Sequence, residues 1–457
     1  MNAKLGSVVI GLLVAACTAG NGTTSGAGAD PNTGGSGGNA AGGSNQGGQQ
    51  TQGGGGTAGS SSQQFMAGGA SGTCNDENAD EDQDGWTIAE GDCNDCDKNA
   101  NPGAIEVIGA PAGGGAGGAG GAGGAGGAGG AGGSGGAGGA EYEPVDEDCD
   151  GMKDEPQDPY CDDGLALNST DAKDGARAVD ICKQAADAKD WGLLTAQYTR
   201  ANGTPIAANK QVGLQANFGP NVLPLAGSSM LSLSSGFSRL PGQPGACTSN
   251  SCNSNLAGTP PPGFPQDVPN CPIATTINDD IALDLTLRAP TNATGYKFNF
   301  KFHSFEYGEY VCTTFNDQFI ALVDPPPQGA QDGNISFDAL GNPVSVNIAF
   351  FDVCASCADF AANCFELNCP SAPVPCCPAG PSQLMGTGFD TGFGGGEDAG
   401  GTSWLQTQAP VVGGSEFAIR FAIWDTGDSS FDSTVIVDSF EWIANGGTVP
   451  IGTTPVE

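Results

Sequence analysis

The stretch YKFNFKFHSFEY, residues 296–307, alternates aromatic with polar side chains along most of its length. A period of two is typical of a β-strand that buries one face. Similar alternation occurs in MLSLSSG (230–236), DIALDLTLRA (280–289), NDQFIALV (316–323), VSVNIAFFDV (344–353), EFAIRFAIWD (416–425) and STVIVDSFEWIA (433–444), with Gly, Pro, Asn and Asp clusters between them. The pattern predicts a mainly β protein whose residues 201–457 form a jelly-roll-like β-sandwich.

Histidine content and charge narrow the classes of function. The chain of 457 residues has one histidine, His303, inside the opening stretch, and a formal net charge of −37. A zinc site with two histidine ligands is therefore impossible, and Ser-His-Asp or Cys-His catalysis would have to use His303. We expect His303 to be a hydrogen-bonded structural residue on a strand. The negative charge argues against a nucleic-acid partner.

A second stretch, DEDQDGWTIAEGDCNDCDKNANPGAIEV (80–107), is unusually rich in aspartate. Carboxylates at positions i, i+2 and i+4 repel one another unless a cation lies among them. Oxygen ligands on a turn at Gly85 suit Ca²⁺ best. The spacing follows the first half of an EF-hand loop, but the twelfth position is Gly91 rather than Glu. We therefore predict a calcium-binding acidic module that is not an EF-hand.

The acidic module is predicted to span residues 73–158. A Gly/Ala insertion at 113–140 interrupts it, and the acidic pattern resumes in EPVDEDCDGMKDEPQD (143–158). Loop-closure entropy grows only logarithmically with length, so a surface loop tolerates such an insertion. The candidate metal ligands of the module are Asp80, Asp82, Asp84, the carbonyl of Trp86, Asp92, Asp95, Asp97, Asp146, Asp148 and Asp150.

These segments resemble the MopE-type metal-binding motif of exported bacterial proteins. Its D-x-D-G, DCxD, NPGAxE and D-x-D-C-D-G elements correspond to residues 82–85, 92–95, 101–106 and 146–151. The resemblance implies binding of a divalent cation, suspected to be copper in some members. Because no His or Met cluster lies nearby, we favour Ca²⁺ and expect no organic cofactor. The alternative is that calcium only stiffens a spacer.

Cysteine content and the first residues indicate export. Residues 1–17, MNAKLGSVVIGLLVAAC, combine a lysine, a short apolar run and small residues, as in a secretory signal. The ending VAAC resembles a bacterial lipobox, which implies cleavage before Cys17 and a lipid on that residue. Thr18 is not the aspartate that favours inner-membrane retention, so we expect a lipid anchor in the outer membrane or at the cell surface. The other sixteen of the 17 cysteines would form disulfides rather than a zinc site.

Three remaining segments have distinct compositions. Residues 18–72 are rich in Gly, Ser, Asn and Gln, and we expect a disordered tether with an r.m.s. span of about 40 Å. Residues 159–200 carry apolar residues at helical spacing and predict a helical lead-in. Residues 354–377 hold six cysteines and predict a disulfide-stapled insertion between strands. The expected pairs elsewhere are Cys161 with Cys182, and Cys149 with either Cys93 or Cys96.

Two C-terminal stretches, residues 300–323 and 417–440, resemble the choice-of-anchor L domain. That family typically shows SEEYxE, FNDxF and DxGDxxxDSxV. The matching residues are Ser304, Glu306, Tyr307, Glu309, Phe315, Asn316, Asp317, Phe319, Asp425, Gly427, Asp428, Asp432, Ser433 and Val435, whereas Phe305 replaces the first Glu of the family pair. The resemblance spans about residues 185–445. It implies a surface or secreted bacterial protein and no known catalysis.

The polar residues of these two stretches form a candidate second metal site. They are expected at strand ends or in turns, where β-sandwiches often hold Ca²⁺. The alternative is that they form Asx turns with the backbone. The candidate ligands are Glu306, Glu309, Asn316, Asp317, Asp425, Asp428 and Asp432.

Together these features predict a lipid-anchored, calcium-binding surface protein that serves adhesion or envelope scaffolding and is not an enzyme. Its partners would be the outer membrane, through the lipid, and surface polysaccharide or another cell-surface protein. One alternative is an extracellular carbohydrate-binding module, which exposed rings at Trp404 or Trp424 would favour. Another is a carboxylate-dependent extracellular hydrolase, which two carboxyl groups about 5–9 Å apart in one deep pocket would favour.

Substitution of Cys17 tests the anchor. Cys17→Ser should release the protein from membranes or leave the precursor unprocessed, because the thiol is the atom that carries the lipid. Membrane fractionation and mass spectrometry of the N-terminal peptide measure both outcomes. An unmodified Cys17 in an intact precursor at steady state would contradict the prediction.

Overall fold

The computed structural model describes residues 74–108, 144–156, 160–252, 256–308, 310–347, 350–354, 377–390, 399–444 and 446–456. The predicted signal peptide with Cys17, the tether, the Gly/Ala insertion and most of the cysteine-rich insertion lie outside these residues. Within the described ranges, no helix is both long and apolar enough to cross a membrane.

Strands dominate the described part of the chain, and helices are short. The strands are β1 (Gly192–Thr199), β2 (Val212–Gln215), β3 (Met230–Ser234), β4 (Ile277–Arg288), β5 (Gly295–Ser304), β6 (Gln318–Asp324), β7 (Val344–Ser345), β8 (Phe351–Cys354), β9 (Gly400–Thr402), β10 (Leu405–Pro410), β11 (Glu416–Thr426), β12 (Ser433–Ile443) and β13 (Gly452–Pro455). The helical elements are α1 (Ala172–Arg177) and two 3₁₀ turns, Ile88–Glu90 and Ser382–Leu384.

The strands form two antiparallel sheets. The first has the order β1-β4-β11-β6-β7, and the second has the order β13-β10-β5-β12-β3-β2, with β9 pairing to β5 and β8. Successive strands β4, β5 and β6 alternate between the sheets, and so do β10, β11 and β12. In one sheet β11 pairs with β4, and in the other β12 pairs with β5. The segment β4–β5 and the segment β11–β12, which are distant in sequence, are therefore neighbours in both sheets. This winding confirms the predicted jelly-roll-like β-sandwich.

The opening aromatic stretch forms β5 and supplies the centre of the core. Phe298 packs edge-on against Phe421 of β11, with ring centroids 5.0 Å apart, and Phe300 packs on Phe319 of β6 at 5.1 Å. Phe298, Phe300 and Phe302 are fully buried. The period of two along β5 therefore corresponds to rings that face the opposite sheet.

The predicted helical lead-in at 159–200 is helical only at Ala172–Arg177. The Asp171 side chain caps this helix by accepting a hydrogen bond from the backbone N–H of Lys173 at 2.9 Å. Ile181, an apolar position of the predicted helix, is instead buried in the sandwich core outside any helix. Residues Gly192–Thr199 form β1, which pairs with β4 at the edge of the first sheet. Tertiary packing thus overrides the helical spacing, and the sandwich begins before residue 201.

Six disulfides cross-link the described residues. They are Cys74–Cys96, Cys93–Cys149, Cys161–Cys182, Cys247–Cys252, Cys271–Cys312 and Cys354–Cys377. The expected pair Cys161–Cys182 is confirmed, and the partner of Cys149 is Cys93 rather than Cys96. The Cys93–Cys149 bond joins the two acidic segments across the insertion. The cysteines between Cys354 and Cys377 lie outside the described residues.

Replacing Phe300 by alanine should lower the free energy of unfolding by about 3–5 kcal/mol, because the lost ring would leave a cavity between the sheets. Denaturant unfolding of the full chain measures the change. Leu340→Ala is the control, since Leu340 is 85% exposed and should cost less than about 0.5 kcal/mol. Similar losses in the two variants would contradict the described core.

We predict eight disulfides and no structural zinc in the mature chain. Six of the bonds are among the described residues, and the remaining cysteines are even in number once Cys17 is lipidated. Thiol titration of the denatured, unreduced protein should find almost no free sulfhydryl. Several free thiols together with stoichiometric zinc would show the prediction to be wrong.

Candidate metal centre

The first acidic loop, residues 80–86, is curled by its own aspartates. Asp80 accepts hydrogen bonds from the backbone N–H groups of Asp84 (3.1 Å) and Gly85 (3.0 Å). Asp82 accepts from the same Asp84 N–H at 3.2 Å, and Asp84 accepts from the Trp86 N–H at 2.7 Å. Gly85 has a φ of +97°, a conformation that other residues rarely adopt. The Oδ2 atoms of Asp82 and Asp84 remain buried without a hydrogen-bond partner in the described chain.

Two further aspartates reach this loop from the segment that follows it. Asp92 and Asp95 are only 4% and 2% exposed. Asp95 accepts a hydrogen bond from the Glu81 N–H at 2.8 Å, and Asp92 accepts one from the Asn94 N–H at 2.7 Å. The second oxygen of each carboxylate is buried and has no hydrogen-bond partner among the described residues. Oxygens lie within 4.8 Å of one another in two overlapping groups, Asp80–Asp82–Asp95 and Asp82–Asp84–Asp92.

The second acidic loop, residues 146–152, repeats the first. Its sequence DEDCDGM corresponds to DEDQDGW at 80–86. The same four hydrogen bonds form, from the N–H of Asp150 to Asp146 (3.1 Å) and to Asp148 (3.1 Å), from Gly151 to Asp146 (3.1 Å), and from Met152 to Asp150 (2.7 Å). Gly151 has a φ of +94°. The oxygens of Asp146, Asp148 and Asp150 again lie within 4.8 Å of one another.

Glu106 connects the second loop to the first acidic segment. It is 7% exposed, and its Oε1 accepts a hydrogen bond from the Glu147 N–H at 2.9 Å. The equivalent hydrogen bond at the first loop is the one that Asp95 accepts from the Glu81 N–H. Glu106, Asp148 and Glu155 form a further group with oxygens within 4.8 Å of one another. The Oε2 of Glu155 has no hydrogen-bond partner among the described residues.

Burial and crowding disfavour the charged form of these carboxylates. Burial raises the pKa of Asp82 and of Asp84 to about 6, and neighbouring aspartates add to the shift. The pKa of Asp92 and that of Asp148 are raised for the same reasons. In the described ranges, no Lys or Arg forms an ion pair with these four groups. These carboxylates thus offer hard oxygen donors with unused lone pairs and without a paired cationic side chain. Such a set fits Ca²⁺, which takes about six to eight oxygen ligands.

The acidic module packs directly on the β-sandwich. The carbonyl of Gly103 accepts a hydrogen bond from the Thr291 N–H at 2.9 Å. The side chain of Asn292 bonds both backbone groups of Ile105, accepting at 3.1 Å and donating at 2.7 Å. Ile105 is 3% exposed. The NPGAIE segment therefore fixes the module to the turn between β4 and β5.

The predicted second metal site is only partly assembled. Glu306, Asp317, Asp425 and Asp432 are all buried. Burial first, and then repulsion from the others, raises the pKa of Glu306 and of Asp425 well above the usual range. However, the groups of acidic oxygens within 4.8 Å of one another in the described chain all belong to the acidic module. The buried cluster thus lacks the converging oxygens of a metal site in this conformation.

The other predicted ligands of that site are placed differently. Asn316 accepts a hydrogen bond from the Asn347 N–H at 3.2 Å. Asp428 is exposed and accepts one from the Ser430 N–H at 3.0 Å, as an Asx turn does. Glu309 lies outside the described residues. The turn alternative therefore describes Asp428 better than metal ligation does.

His303 lies on β5 as predicted, but its ring makes no hydrogen bond within the described part of the chain. It is 0% exposed and packs between the rings of Phe218 and Phe389, with centroids at 5.2 and 5.5 Å. Neither ring nitrogen has a hydrogen-bond partner among the described residues. Burial lowers the pKa of His303 to about 3, so the ring is neutral at physiological pH. The residue acts as a packing group and is inaccessible to a substrate.

The tryptophans named for carbohydrate binding do not form a concave aromatic face. Trp424 is 0% exposed, and its Nε1 donates to the Thr426 hydroxyl at 3.1 Å. Trp404 is half-buried beside the buried Lys301, whose Nζ lies 5.5 Å from the ring centroid. A sugar could not stack on Trp424, because the core already covers its ring.

The groups of converging oxygens do not coincide fully with the predicted ligand set, which stays a prediction. Glu106 and Glu155 belong to an acidic group but were not predicted as ligands. The repeat of DEDxDG at 80–85 and 146–151 was the signal that could have paired the two loops. Asp97, by contrast, joins no such group and accepts hydrogen bonds from Asn99.

Removal of Ca²⁺ should open the acidic module, because the crowded carboxylates would then repel one another without compensation. EDTA should make residues 74–156 sensitive to protease while the sandwich persists, and Asp82→Ala with Asp84→Ala should do so even in Ca²⁺. Limited proteolysis with mass spectrometry measures both.

Glu77→Ala with Glu81→Ala is the matched control, since it removes the same charge from exposed side chains outside the acidic groups. It should behave as the parent protein does. Equal sensitivity in the two double variants would mean that net charge, not ligation, controls the module.

Comparison with known proteins agrees with the resemblance in the sandwich. Residues 273–441 match the family model of the Choice-of-anchor L domain, which covers β4 to most of β12. The match is shorter than the expected 185–445 and leaves out β1–β3 and the acidic module. No curated protein matches the chain. Residues 273–441 are thus similar to the choice-of-anchor L domain, and this similarity suggests a surface-associated protein.

Proposed function

We propose that this chain is a lipid-anchored protein of the outer membrane or cell surface that binds Ca²⁺ and serves adhesion or envelope scaffolding without catalysis. The lipid on Cys17 would hold it to the membrane, and residues 18–72 would form the tether. Two Ca²⁺ ions would hold the acidic module against the sandwich, one in each acidic loop. The sandwich would present the surface that meets a polysaccharide or another surface protein.

The observation that carries the proposal is the repeated acidic loop, whose first copy leaves buried carboxylate oxygens unused. In each loop, carboxylate oxygens accept four hydrogen bonds from backbone N–H groups of the same loop. The four bonds join equivalent positions in the two loops. In the first loop and the segment that follows it, the buried Oδ2 atoms of Asp82, Asp84, Asp92 and Asp95 lack hydrogen-bond partners in the described chain. A buried carboxylate is costly unless it is paired or coordinates a cation. Two copies of one arrangement favour two ions.

Rigidity is the mechanical contribution we assign to the ions. The module has few buried apolar residues, of which Ala100, Ala104 and Ile105 are examples. Its two halves are joined by the Cys93–Cys149 disulfide and by Glu106. Ca²⁺ binding to the folded form would add its binding free energy to the stability of the module. The tether would then end on a stiff module that is docked on the sandwich. Force on the tether would be transmitted to the sandwich and would not unfold the module.

The buried carboxylates of the sandwich do not favour the hydrolase alternative. Glu306 and Asp317 are 1% and 0% exposed, so a polymeric substrate could not reach them. Asp317 is also engaged, since it accepts hydrogen bonds from the Thr426 N–H at 2.9 Å and the Ser433 hydroxyl at 2.6 Å. These contacts are typical of a structural network. We therefore retain the non-catalytic proposal.

Titration of the full chain with Ca²⁺ should give two bound ions per molecule. Asp82→Ala with Asp84→Ala should leave one ion, and Asp148→Ala with Asp150→Ala should leave the other, because each pair belongs to one loop. Isothermal titration calorimetry measures the stoichiometry, and adhesion of cells that display each variant measures the consequence. Absence of binding below about 1 mM, or adhesion that is indifferent to all four aspartates, would refute the proposal.

A further inference from the structure

Three aspartates from distant parts of the chain form a carboxyl cluster where the segment around α1 meets β12. Asp162 precedes α1, Asp180 follows it, and Asp438 lies on β12. Asp162 and Asp438 are 1% and 0% exposed, and Asp180 is half-buried. Within the described part of the chain, no Lys or Arg forms an ion pair with any of the three. The cluster therefore cannot keep all three charges without a cost.

Asp180 and Asp438 are hydrogen-bonded to each other. The N–H of Ser439 donates both to Asp180 Oδ2 at 3.2 Å and to Asp438 Oδ1 at 2.8 Å, so these two oxygens are neighbours. The two side chains also bond one another directly. An ionised carboxylate only accepts hydrogen bonds, so this contact requires a proton on one of the two groups. Asp180 and Asp438 thus share one proton.

The shared proton resides on Asp180. Asp438 accepts a hydrogen bond from the Leu225 N–H at 2.6 Å besides the one from Ser439, and such donors stabilise its charged form. Burial raises the pKa of Asp438 only to about 6. Burial, together with the charges of Asp438 and Asp162, raises the pKa of Asp180 to about 8. At neutral pH, Asp180 is therefore the donor and Asp438 the acceptor.

The other charged side chains of the adjoining elements are engaged elsewhere or face solvent. Ion pairs join Lys183 with Asp190, Glu441 with Lys297, and Arg177 with Asp174, at 3.1, 2.9 and 3.0 Å. Asp163, next to Asp162 in sequence, is exposed. The loop 224–229, which contacts the cluster, contains no charged residue. Asp162 is therefore the charge that acts on the pair from outside it.

The carboxyl cluster fixes loop 224–229, which leads into β3. Asp162 Oδ2 accepts hydrogen bonds from the N–H groups of Ser228 and Ser229 at 2.6 and 2.5 Å. Asp438 holds the other end of the loop through Leu225. Loss of the proton from Asp180 would remove its bond to Asp438 and place a third negative charge beside two buried carboxylates. Repulsion would then act against the contacts that hold the loop.

We propose that the Asp180–Asp438 pair is a pH-sensitive contact, which holds loop 224–229 in place while the pair shares a proton and releases the loop in alkaline solution. In the unfolded chain Asp180 would lose its proton near pH 4, but in the folded chain near pH 8. The stability that its hydrogen bond contributes is therefore complete below about pH 4 and is lost as the pH rises to about 8. The proposal does not depend on Ca²⁺ binding by the acidic module.

The test is hydrogen exchange with mass spectrometry of the full chain at pH 6 and pH 9, with Ca²⁺ held constant. Asp180→Asn keeps an N–H donor toward Asp438 at every pH, and asparagine tolerates the φ of +68° at this position. Parent and variant should protect loop 224–229 equally at pH 6. At pH 9 the loop of the parent should exchange about tenfold faster than that of the variant, because the pair is then one pH unit above its pKa.

Two further variants complete the test. Asp180→Gly removes the carboxyl group without straining the backbone, so loop 224–229 should exchange rapidly at both pH values. Asp332→Asn is the control, because Asp332 is exposed, has a φ of +49° and lies outside the cluster, and it should behave as the parent does. An equal pH dependence in the parent and Asp180→Asn, or full protection of the loop in Asp180→Gly, would overturn the proposal.

Discussion

Repulsion between carboxylates is the constraint on which the N-terminal part of the described structure depends. Acidic oxygens lie within 4.8 Å of one another in four groups. Two unit charges at this separation repel by about 1 kcal/mol in water and by about 3–4 kcal/mol at the effective dielectric constant of a protein surface. Several such pairs in a module with so few buried apolar residues would exceed the stability available to it. Neutralisation must therefore come from protonation or from a bound cation, and the unused buried oxygens favour the cation.

The β-sandwich depends on a different force. Its core is made of rings on β5 that pack against the opposite sheet, as Phe298 does against Phe421, so burial of apolar surface is its main stabilising force. The two parts meet where the Asn292 side chain bonds both backbone groups of Ile105. A change in the metal state of the module would thus be transmitted to the turn between β4 and β5.

Sequence patterns predicted the sandwich because alternation reports directly which residues share one face of a strand. The same patterns did not predict which residues cover the opposite face of each strand. Trp424 reads as an exposed strand residue, yet it packs edge-on against Phe264 at 6.0 Å and is fully buried. The stretch 344–353 alternates well, but β7 is only two residues long and β8 starts at Phe351. The aspartate spacing predicted both acidic loops. It did not show that Glu106 lies beside the second loop, because a long insertion separates the two in sequence.

Calcium at the repeated acidic loops is the central claim, and anomalous diffraction tests it most directly. Crystals of the full chain grown in Ca²⁺ should show two anomalous difference peaks. One peak should lie about 2.3–2.6 Å from the free oxygens of Asp82 and Asp84, and the other at the same distances from Asp148. Absence of both peaks, with the same carboxylates hydrogen-bonded to water or protonated in pairs, would contradict the account.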